Sequence, residues 1–228
     1  MFSFIFKTII LLYFIFIIYF IINNQKYNIN GIVVDIKNEK EFIDKLPTLN
    51  PLKFKHINNY KPKHLPNNYL YNENNININY LYNSSNDLVF IEKDKNIFMY
   101  DDNKYVNTLI DQNKSFTPLD YSTSIYKKNI IIPLNRCIHN YNIIGIIDGE
   151  TTIYLFNPKH KDDIINKKNN EIKKWGHKLK LQKDDTILIP TNWYYIQETK
   201  DKCIQYHIEI DDIFTYLPTL IKSKISYK

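Results

Sequence analysis

The sequence is poor in the residues on which several common catalytic motifs depend. Alanine is absent, and the 228 residues include only four glycines, two cysteines and a single arginine, Arg136. A glycine-rich phosphate-binding loop is missing, and so are the Ser-His-Asp and Cys-His patterns of nucleophilic hydrolases. With so few glycines, the sequence speaks against a nucleotide-binding enzyme of the P-loop or dinucleotide type.

Lysine supplies nearly all of the positive charge, and the formal net charge is +6. The lysines are scattered along the chain, which is more typical of a solvated surface than of the basic stripe of a nucleic-acid-binding protein. Asparagine, isoleucine, lysine and tyrosine dominate the composition, as they do in proteins from AT-rich genomes, for example those of large DNA viruses or of some protists. We therefore expect no nucleic-acid partner, and a viral source is one hypothesis.

The long apolar run of the chain lies at its amino terminus. Residues 2–22 are almost unbroken in their apolar character and hold one charge, Lys7. That length is about the 20 residues that a helix needs to cross a bilayer. Because residues 23–26 offer no small-residue cleavage site, we expect an uncleaved signal anchor over residues 1–24 rather than a cleaved signal peptide. The sequence thus predicts a single-pass membrane protein, with its C-terminal domain on the lumenal or exterior side.

Residues 25–86 combine a strand–helix–strand segment with a stretch rich in asparagine and tyrosine. Asn38 is a suitable cap for the helix, and Pro47 follows its end. The asparagine-rich and tyrosine-rich stretch, residues 58–86, has no clear period, so we expect a surface loop or a contact segment there. The patterns up to residue 112 predict strands over residues 31–37 and 51–57, a helix over 39–46, a hairpin over 88–100 and a helix over 106–112.

Residues 87–228 are expected to form one β domain, because from residue 130 onward short apolar runs alternate with turns. A polar insert over residues 159–182, with a helix predicted over 162–175, interrupts the strands. Closely spaced strands of this kind are typical of a barrel or a sandwich. Strands are predicted over residues 130–132, 143–147, 152–156, 186–189, 194–197 and 203–210.

The spacing of several residues in this part resembles the barrel of cupin-like, JmjC-type hydroxylases. In that family an iron-binding His-x-Asp precedes an Asn, a Gly follows seven residues later, and Leu-Phe-x-Pro, Ile-Pro and Trp-x-His come after it. Here Asn142 is followed seven residues later by Gly149. The resemblance implies a mainly β double-stranded β-helix barrel, with structural roles for the matching Gly149, Pro158, Pro190 and Trp193.

When the spacing of the family is applied to this sequence, the positions expected to hold the metal ion and the cosubstrate lack suitable side chains. The first His falls on Arg136, the Asp on Ile138 and the second His on Tyr195, while the basic contact to 2-oxoglutarate falls on Thr151. Fe(II) in such enzymes needs two imidazoles and a carboxylate, and a guanidinium has no lone pair to donate. The resemblance therefore implies a vestigial pocket formed by Arg136, Ile138, Asn142, Thr151 and Tyr195, with no metal and no cofactor.

The two cysteines leave further alternatives open. Cys137 and Cys203 could pair in an oxidising compartment, or join His139 and His207 in a zinc site. Alternation in residues 203–210 places the isoleucines on the inner face and predicts that Cys203 and His207 face outward, which disfavours zinc. Asn83 and Asn113 lie in glycosylation acceptor patterns, which would fit an exterior domain.

The sequence as a whole predicts a membrane-anchored cupin-like or JmjC-like domain that acts as a binding or structural module and is not an enzyme. Its expected partners are the membrane, through residues 2–22, and an unidentified protein or small molecule. The alternative is a divergent Fe(II)- and 2-oxoglutarate-dependent hydroxylase whose metal ligands have moved to other positions.

Overall fold

The computed structural model describes residues 6–15, 18, 28, 30–55, 88–92, 104–112, 116–126, 129–165 and 167–212. Three short 3-10 helices accompany the regular elements, at Leu46–Thr48, Pro158–His160 and Lys173–Trp175. In chain order the elements are β1 (Val34–Ile36), α1 (Glu39–Lys45), β2 (Leu52–Lys55), β3 (Leu88–Glu92), α2 (Lys104–Gln112), β4 (Phe116–Tyr126), β5 (Ile130–Arg136), β6 (Tyr141–Phe156), α3 (Lys161–Ile164), α4 (Asn169–Ile172), β7 (His177–Gln182), β8 (Asp185–Pro190), β9 (Tyr194–Thr199) and β10 (Cys203–Asp212).

Strands β4 to β10 form two antiparallel sheets that share the long strand β6. The first half of β6 pairs with β8 on one side and with β10 on the other, and β10 pairs in turn with β4. The second half of β6 pairs with β7 and with β9, and β9 pairs with β5. We call these the first sheet, which β1, β2 and β3 extend to the order β1–β2–β8–β6–β10–β4–β3, and the second sheet, ordered β7–β6–β9–β5.

The order of pairing shows how the chain winds. Strand β4 pairs with β10, β5 with β9, the first half of β6 with β8, and its second half with β7, always antiparallel. The chain is therefore a long antiparallel ribbon that is folded alternately into the two sheets. This double-sheet jelly roll is the architecture of cupins and also of lectin and capsid domains. The prediction of a mainly β double-stranded β-helix is confirmed by this topology.

The barrel interior is a cluster of side chains that come from both sheets. Ile144 and Ile187 contribute from the first sheet, and Ile153 and Tyr195 contribute from the second. The outer face of the first sheet is covered by α1 and α2, and Phe54 of β2, which pairs with β8, forms an aromatic group there with Phe42 and Tyr105, with ring centroids 4.4–5.4 Å apart. The outer face of the second sheet is covered by the insert.

The prediction that Cys203 and His207 face outward is wrong. Cys203 belongs to the interior cluster, and His207 is bonded to Gln205, whose side chain is buried inside the barrel. The alternate residues Ile204, Tyr206, Ile208 and Ile210 pack beneath α1 and α2 on the outer face of the first sheet. Both faces of β10 are buried. The alternating apolar residues therefore mark the face that the helices cover, and the other face lines the barrel.

The shorter elements agree with the sequence in type and differ in extent. Helix α1 begins at its predicted cap, since the Asn38 Oδ1 accepts a hydrogen bond from the Glu41 N–H at 3.0 Å. The single helix predicted over residues 162–175 is instead divided into α3, α4 and a 3-10 turn. The predicted strands near residues 34 and 52 are present as β1 and β2, which pair in parallel.

Several predictions fall on residues outside the described part of the chain. These are the asparagine-rich and tyrosine-rich stretch over residues 58–86, the second strand of the predicted hairpin at 97–100, and the predicted glycosylation sites Asn83 and Asn113. Of the predicted anchor, residues 6–15 and 18 are described and are helical. Among the described residues, no helix combines the length and the apolar character that crossing a membrane requires.

Gly149 and Trp193, to which the resemblance assigns structural roles, lie at a position of positive φ and in the interior cluster respectively. Gly149 has a φ of +82°, and an added Cβ would lie 2.1 Å from the carbonyl oxygen of Lys202. A side chain at this position would therefore be strained by the backbone and would also clash. Trp193 is 2% exposed within the interior cluster, and its Nε1 donates to the carbonyl oxygen of Leu49 at 3.2 Å.

The two tryptophans provide a matched test of this core. Trp193→Ala should lower the free energy of unfolding by about 3 kcal/mol or more, because it leaves a large cavity and an unpaired carbonyl. Trp175, 41% exposed, is the control, and Trp175→Ala should change the free energy much less. Urea denaturation of both variants measures the difference, and equal losses would contradict the assigned burial.

Candidate functional site

The structure places three of the five residues of the predicted vestigial pocket inside the barrel, and two of these are in contact. Asn142 and Tyr195 meet inside the barrel, and Thr151 lies farther along the same interior. Arg136 lies on the other side of the second sheet, with its guanidinium 5.9 Å from the centre of the Tyr194 ring, and Ile138 is half-buried in the loop after β5.

A break in strand register separates Arg136 from the interior. The pairing of β5 with β9 shifts between Ile132 and Asn135, so that Asn135 and not Arg136 faces Tyr195. The Arg136 guanidinium donates to the Asn192 Oδ1, and its Nε has no hydrogen-bond partner among the described residues. Pro133, which lacks an N–H group, lies at the break and is the sequence signal that could have revealed it.

Tyr195 is the centre of the first of two polar groups, which we call the tyrosine cluster. Tyr195 and Asn142 are buried inside the barrel, whereas the third member, Asn135, is exposed. Its hydroxyl oxygen accepts hydrogen bonds from the Nδ2 atoms of Asn135 at 3.2 Å and Asn142 at 3.3 Å. Burial raises the pKa of the phenol, and the neighbouring Cys137 adds to this effect. Tyr195 is therefore a neutral hydroxyl held between two amides, which is a poor ligand for a metal ion.

Asn142 leaves one hydrogen-bonding atom of the tyrosine cluster unused. The residue is 7% exposed, and its Oδ1 has no hydrogen-bond partner among the described residues. An amide oxygen buried without a partner costs about 1–3 kcal/mol, so it would gain by accepting a hydrogen bond. This oxygen is therefore a place where an N–H or O–H donor would be favoured.

The second polar group, which we call the glutamine cluster, was not predicted. The amide groups of Gln197 and Gln205 are bonded to each other across the two sheets, and the Gln197 Nε2 donates to the Thr151 Oγ1 at 3.1 Å. The Thr151 hydroxyl also lies 3.3 Å from that of Thr199, and the Gln205 Nε2 lies 2.6 Å from the His207 Nε2. Thr151 thus belongs to an interior network of neutral groups.

His207 is neutral at physiological pH. Its burial lowers its pKa to about 4, and this effect outweighs the opposing one of Glu209. A neutral imidazole whose Nε2 accepts from the Gln205 amide agrees with the short contact between them. Sequence analysis missed this cluster because glutamines carry no chemical signature, and its only signal was the polar alternation Cys203, Gln205, His207.

Both cysteines are free thiols inside the barrel, so they neither pair nor face outward. The Cys137 Sγ donates to the carbonyl oxygen of Ile189 at 3.4 Å. Burial raises the pKa of both thiols and nearby carboxylates add to this effect, which together bring the pKa of Cys203 to about 12. Thiols in this state are neither reactive nucleophiles nor ready metal ligands.

His139 forms an ion-paired group where β10 meets the loop after β5. Its Nδ1 lies 2.9 Å from the Asp211 carboxylate, and its Nε2 lies 3.1 Å from that of Glu209. Burial lowers the pKa of His139, but hydrogen bonds to the two carboxylates outweigh it and raise the pKa to about 9. Because both ring nitrogens are bonded to carboxylates on opposite sides, neither is free to bind a metal ion.

The residues that line the interior do not fit an Fe(II) centre. Such a centre needs two neutral imidazoles and a carboxylate that converge on one point. Among the described residues, no three His, Cys, Asp or Glu side chains are grouped in a way that could hold a metal ion. The zinc site considered for the two cysteines with His139 and His207 is not formed either, since His139 is bonded to acids and His207 to Gln205. We therefore derive no reaction step through iron or 2-oxoglutarate.

The two histidines should make the stability of the protein depend on pH in opposite ways. His207, with its pKa lowered from about 6.5, should cost stability as the pH falls from 6.5 towards 4, by up to about 3 kcal/mol. His139, with its pKa raised, should contribute stability that is complete below pH 6.5 and lost as the pH rises through about 9.

Thermal unfolding over this pH range tests both assignments with two variants that control for each other. His207→Asn should remove much of the acid-side loss and leave the alkaline side unchanged, whereas His139→Asn should do the reverse. If His207→Asn leaves the acid side as it is in the unmodified protein, His207 is not a buried neutral imidazole.

Comparisons with known proteins concern only the fold. No protein-family profile and no curated protein matches the sequence. Among solved structures, the chain is similar to a cupin superfamily protein from Desulfitobacterium hafniense, with 13% identity and a TM-score of 0.31 over 42% of this chain and 76% of that one. It is also similar to the Cnp3 cupin domain of Schizosaccharomyces pombe, with 14% identity and a TM-score of 0.31 over 42% of this chain and 60% of that one.

A third similar structure is the coconut allergen cocosin, with 10% identity and a TM-score of 0.33 over 46% of this chain and 24% of that one. The chain thus covers less than two thirds of the length of cocosin and of the Cnp3 domain. At such low similarity the assignment of the fold rests on the strand topology described above. By that topology the chain is a mainly β, cupin-like jelly roll.

Proposed function

We propose that this protein is a membrane-anchored, cupin-like binding or structural module that carries out no iron chemistry. The observation that supports it best is the tyrosine cluster. At the position where a related hydroxylase would hold a metal-binding histidine, Tyr195 is a buried neutral phenol bonded to Asn135 and Asn142. The site is built from groups that bind by hydrogen bonding and not from groups that bind metals.

The chemistry of the tyrosine cluster suggests the class of ligand that the module would take. The unpartnered Asn142 Oδ1 would accept a hydrogen bond from an N–H or O–H group. No cationic side chain lies in the cluster, so a dianion such as 2-oxoglutarate would be desolvated without a counter-charge. A small, neutral, hydrogen-bond-donating ligand fits these groups better than an organic acid does.

The enzyme hypothesis is tested by succinate production from 2-oxoglutarate. The full-length protein in detergent, supplied with Fe(II), ascorbate and 2-oxoglutarate, should form no succinate above a blank without protein. Tyr195→His should also be inactive, because it restores one imidazole while Thr151 and the tyrosine cluster amides remain. Iron-dependent succinate production by the unmodified protein would contradict the proposal and favour a hydroxylase with relocated ligands.

The membrane part of the proposal rests on the apolar run at residues 2–22. The full-length protein should resist extraction by alkaline carbonate, whereas a chain that begins at Gln25 should be released, because it lacks the apolar segment. A glycan at Asn83 or Asn113 in a eukaryotic host would place the domain on the lumenal or exterior side. Release of the full-length protein by carbonate would contradict the anchor.

A further inference from the structure

The lysine-rich insert begins beside the chain that arrives from the N-terminal segment. Asn157, the residue before the insert, donates from its Nδ2 to the carbonyl oxygens of Asn28 at 2.8 Å and Gly31 at 3.3 Å. Asn28 is fixed from its other side, because its own Nδ2 donates to the carbonyl oxygen of Thr48 at 3.1 Å. The position of residue 28 on the barrel is therefore set next to the start of the insert.

The chain between the apolar run and this fixed position is short. Five residues lie between Ile22 and Asn28, so the two are joined by six Cα–Cα steps. A fully extended chain of that length spans at most about 20 Å. If residues 2–22 are in a bilayer, the surface around Asn157 must lie close to the lipid headgroups.

Positive charge is concentrated on the insert and is largely unpaired. Residues 159–178 contain seven lysines and three acidic residues, a net charge of +4. Lys173 pairs with Glu198, and among the described residues the other lysines have no carboxylate partner. These six lysines are all exposed: Lys159, Lys161, Lys167, Lys168, Lys174 and Lys178.

An exposed tryptophan lies among these lysines. Trp175 is 41% exposed, the Lys174 Nζ lies 5.4 Å from its ring centre, and the His160 ring lies 5.4 Å away. His160 is one 3-10 turn from Asn157, since its N–H donates to the Asn157 carbonyl oxygen at 3.0 Å. Tryptophan beside lysine is a combination that is common where a protein meets the membrane–water interface.

Helix α1, which lies on the opposite side of the barrel, lacks this positive charge. Helix α1 covers the outer face of the first sheet, whereas the insert covers the outer face of the second. In α1 the two lysines, Lys40 and Lys45, are exposed and lie among three acidic residues. Residues 159–178 therefore carry a net charge of +4, whereas α1 carries a net charge of −1.

From these observations we propose that residues 159–178 of the insert form a membrane-facing surface that binds anionic phospholipid headgroups. The proposal rests on the membrane anchor of the proposed function, but not on the side of the membrane on which the domain lies, and adds to it an orientation of the barrel and a lipid class. In this orientation Trp175 enters the headgroup region, the six exposed lysines bind lipid phosphates, and α1 faces away from the bilayer.

The test measures how fast individual lysines of the full-length protein react with a membrane-impermeant amine reagent. The protein is reconstituted into vesicles of phosphatidylcholine alone or of phosphatidylcholine with phosphatidylserine, and mass spectrometry follows each site. Lys167, Lys168 and Lys174 should react about fivefold more slowly with phosphatidylserine present, and high salt should reduce this protection. Lys40 and Lys45 should react equally in both kinds of vesicle.

Matched charge reversals complete the test. Lys167→Glu/Lys168→Glu should abolish the protection of Lys174, whereas Lys40→Glu/Lys45→Glu should leave it intact. Equal reaction of the insert and α1 lysines in both vesicles would overturn the proposal. Protection that is present in detergent and independent of lipid would overturn it as well, because another protein surface would then cover the insert. Flotation with neutral vesicles reports on the anchor separately, since the insert contributes nothing to it.

Discussion

Hydrogen bonding between neutral side chains inside the barrel is the constraint on which the rest of the structure depends. Strands β6, β9 and β10 place amides, hydroxyls, a phenol and an imidazole where water does not satisfy them, and each would cost about 1–3 kcal/mol unpaired. The Gln197–Gln205 pair satisfies the hydrogen bonding of its own amide groups and joins the two sheets. It also fixes His207 as a neutral acceptor. A metal-binding histidine needs the same lone pair that this network already uses.

Much of the fold follows from local features of the sequence. Asn38 caps α1, Gly149 supplies the positive φ that the middle of β6 requires, and Pro190 ends β8. The direction in which β10 faces does not follow from such features. Its isoleucines are covered by α1 and α2, which come from distant parts of the chain, and a strand buried on both faces carries no reliable alternation.

The candidate site could be predicted only in part, for a related reason. Asn142 and Tyr195 lie on stretches of strand without a register shift, and the family spacing from Asn142 to Gly149 carries the resemblance past the shift within β6 to Thr151, so all three are placed inside the barrel. Arg136 follows the register break at Pro133, which reverses the facing of the residues after it. The partners of Tyr195 also depend on this break, because it turns Asn135 towards the phenol.

The central claim is that a hydrogen-bonded interior replaces a metal centre in this barrel. The most direct test is the metal content of the full-length protein, purified in detergent after expression in iron-supplemented medium and measured by mass spectrometry of the elements. Our account predicts iron and zinc far below one ion per chain, with no difference between the unmodified protein and Tyr195→Phe. Tightly bound iron or zinc near one ion per chain would contradict it.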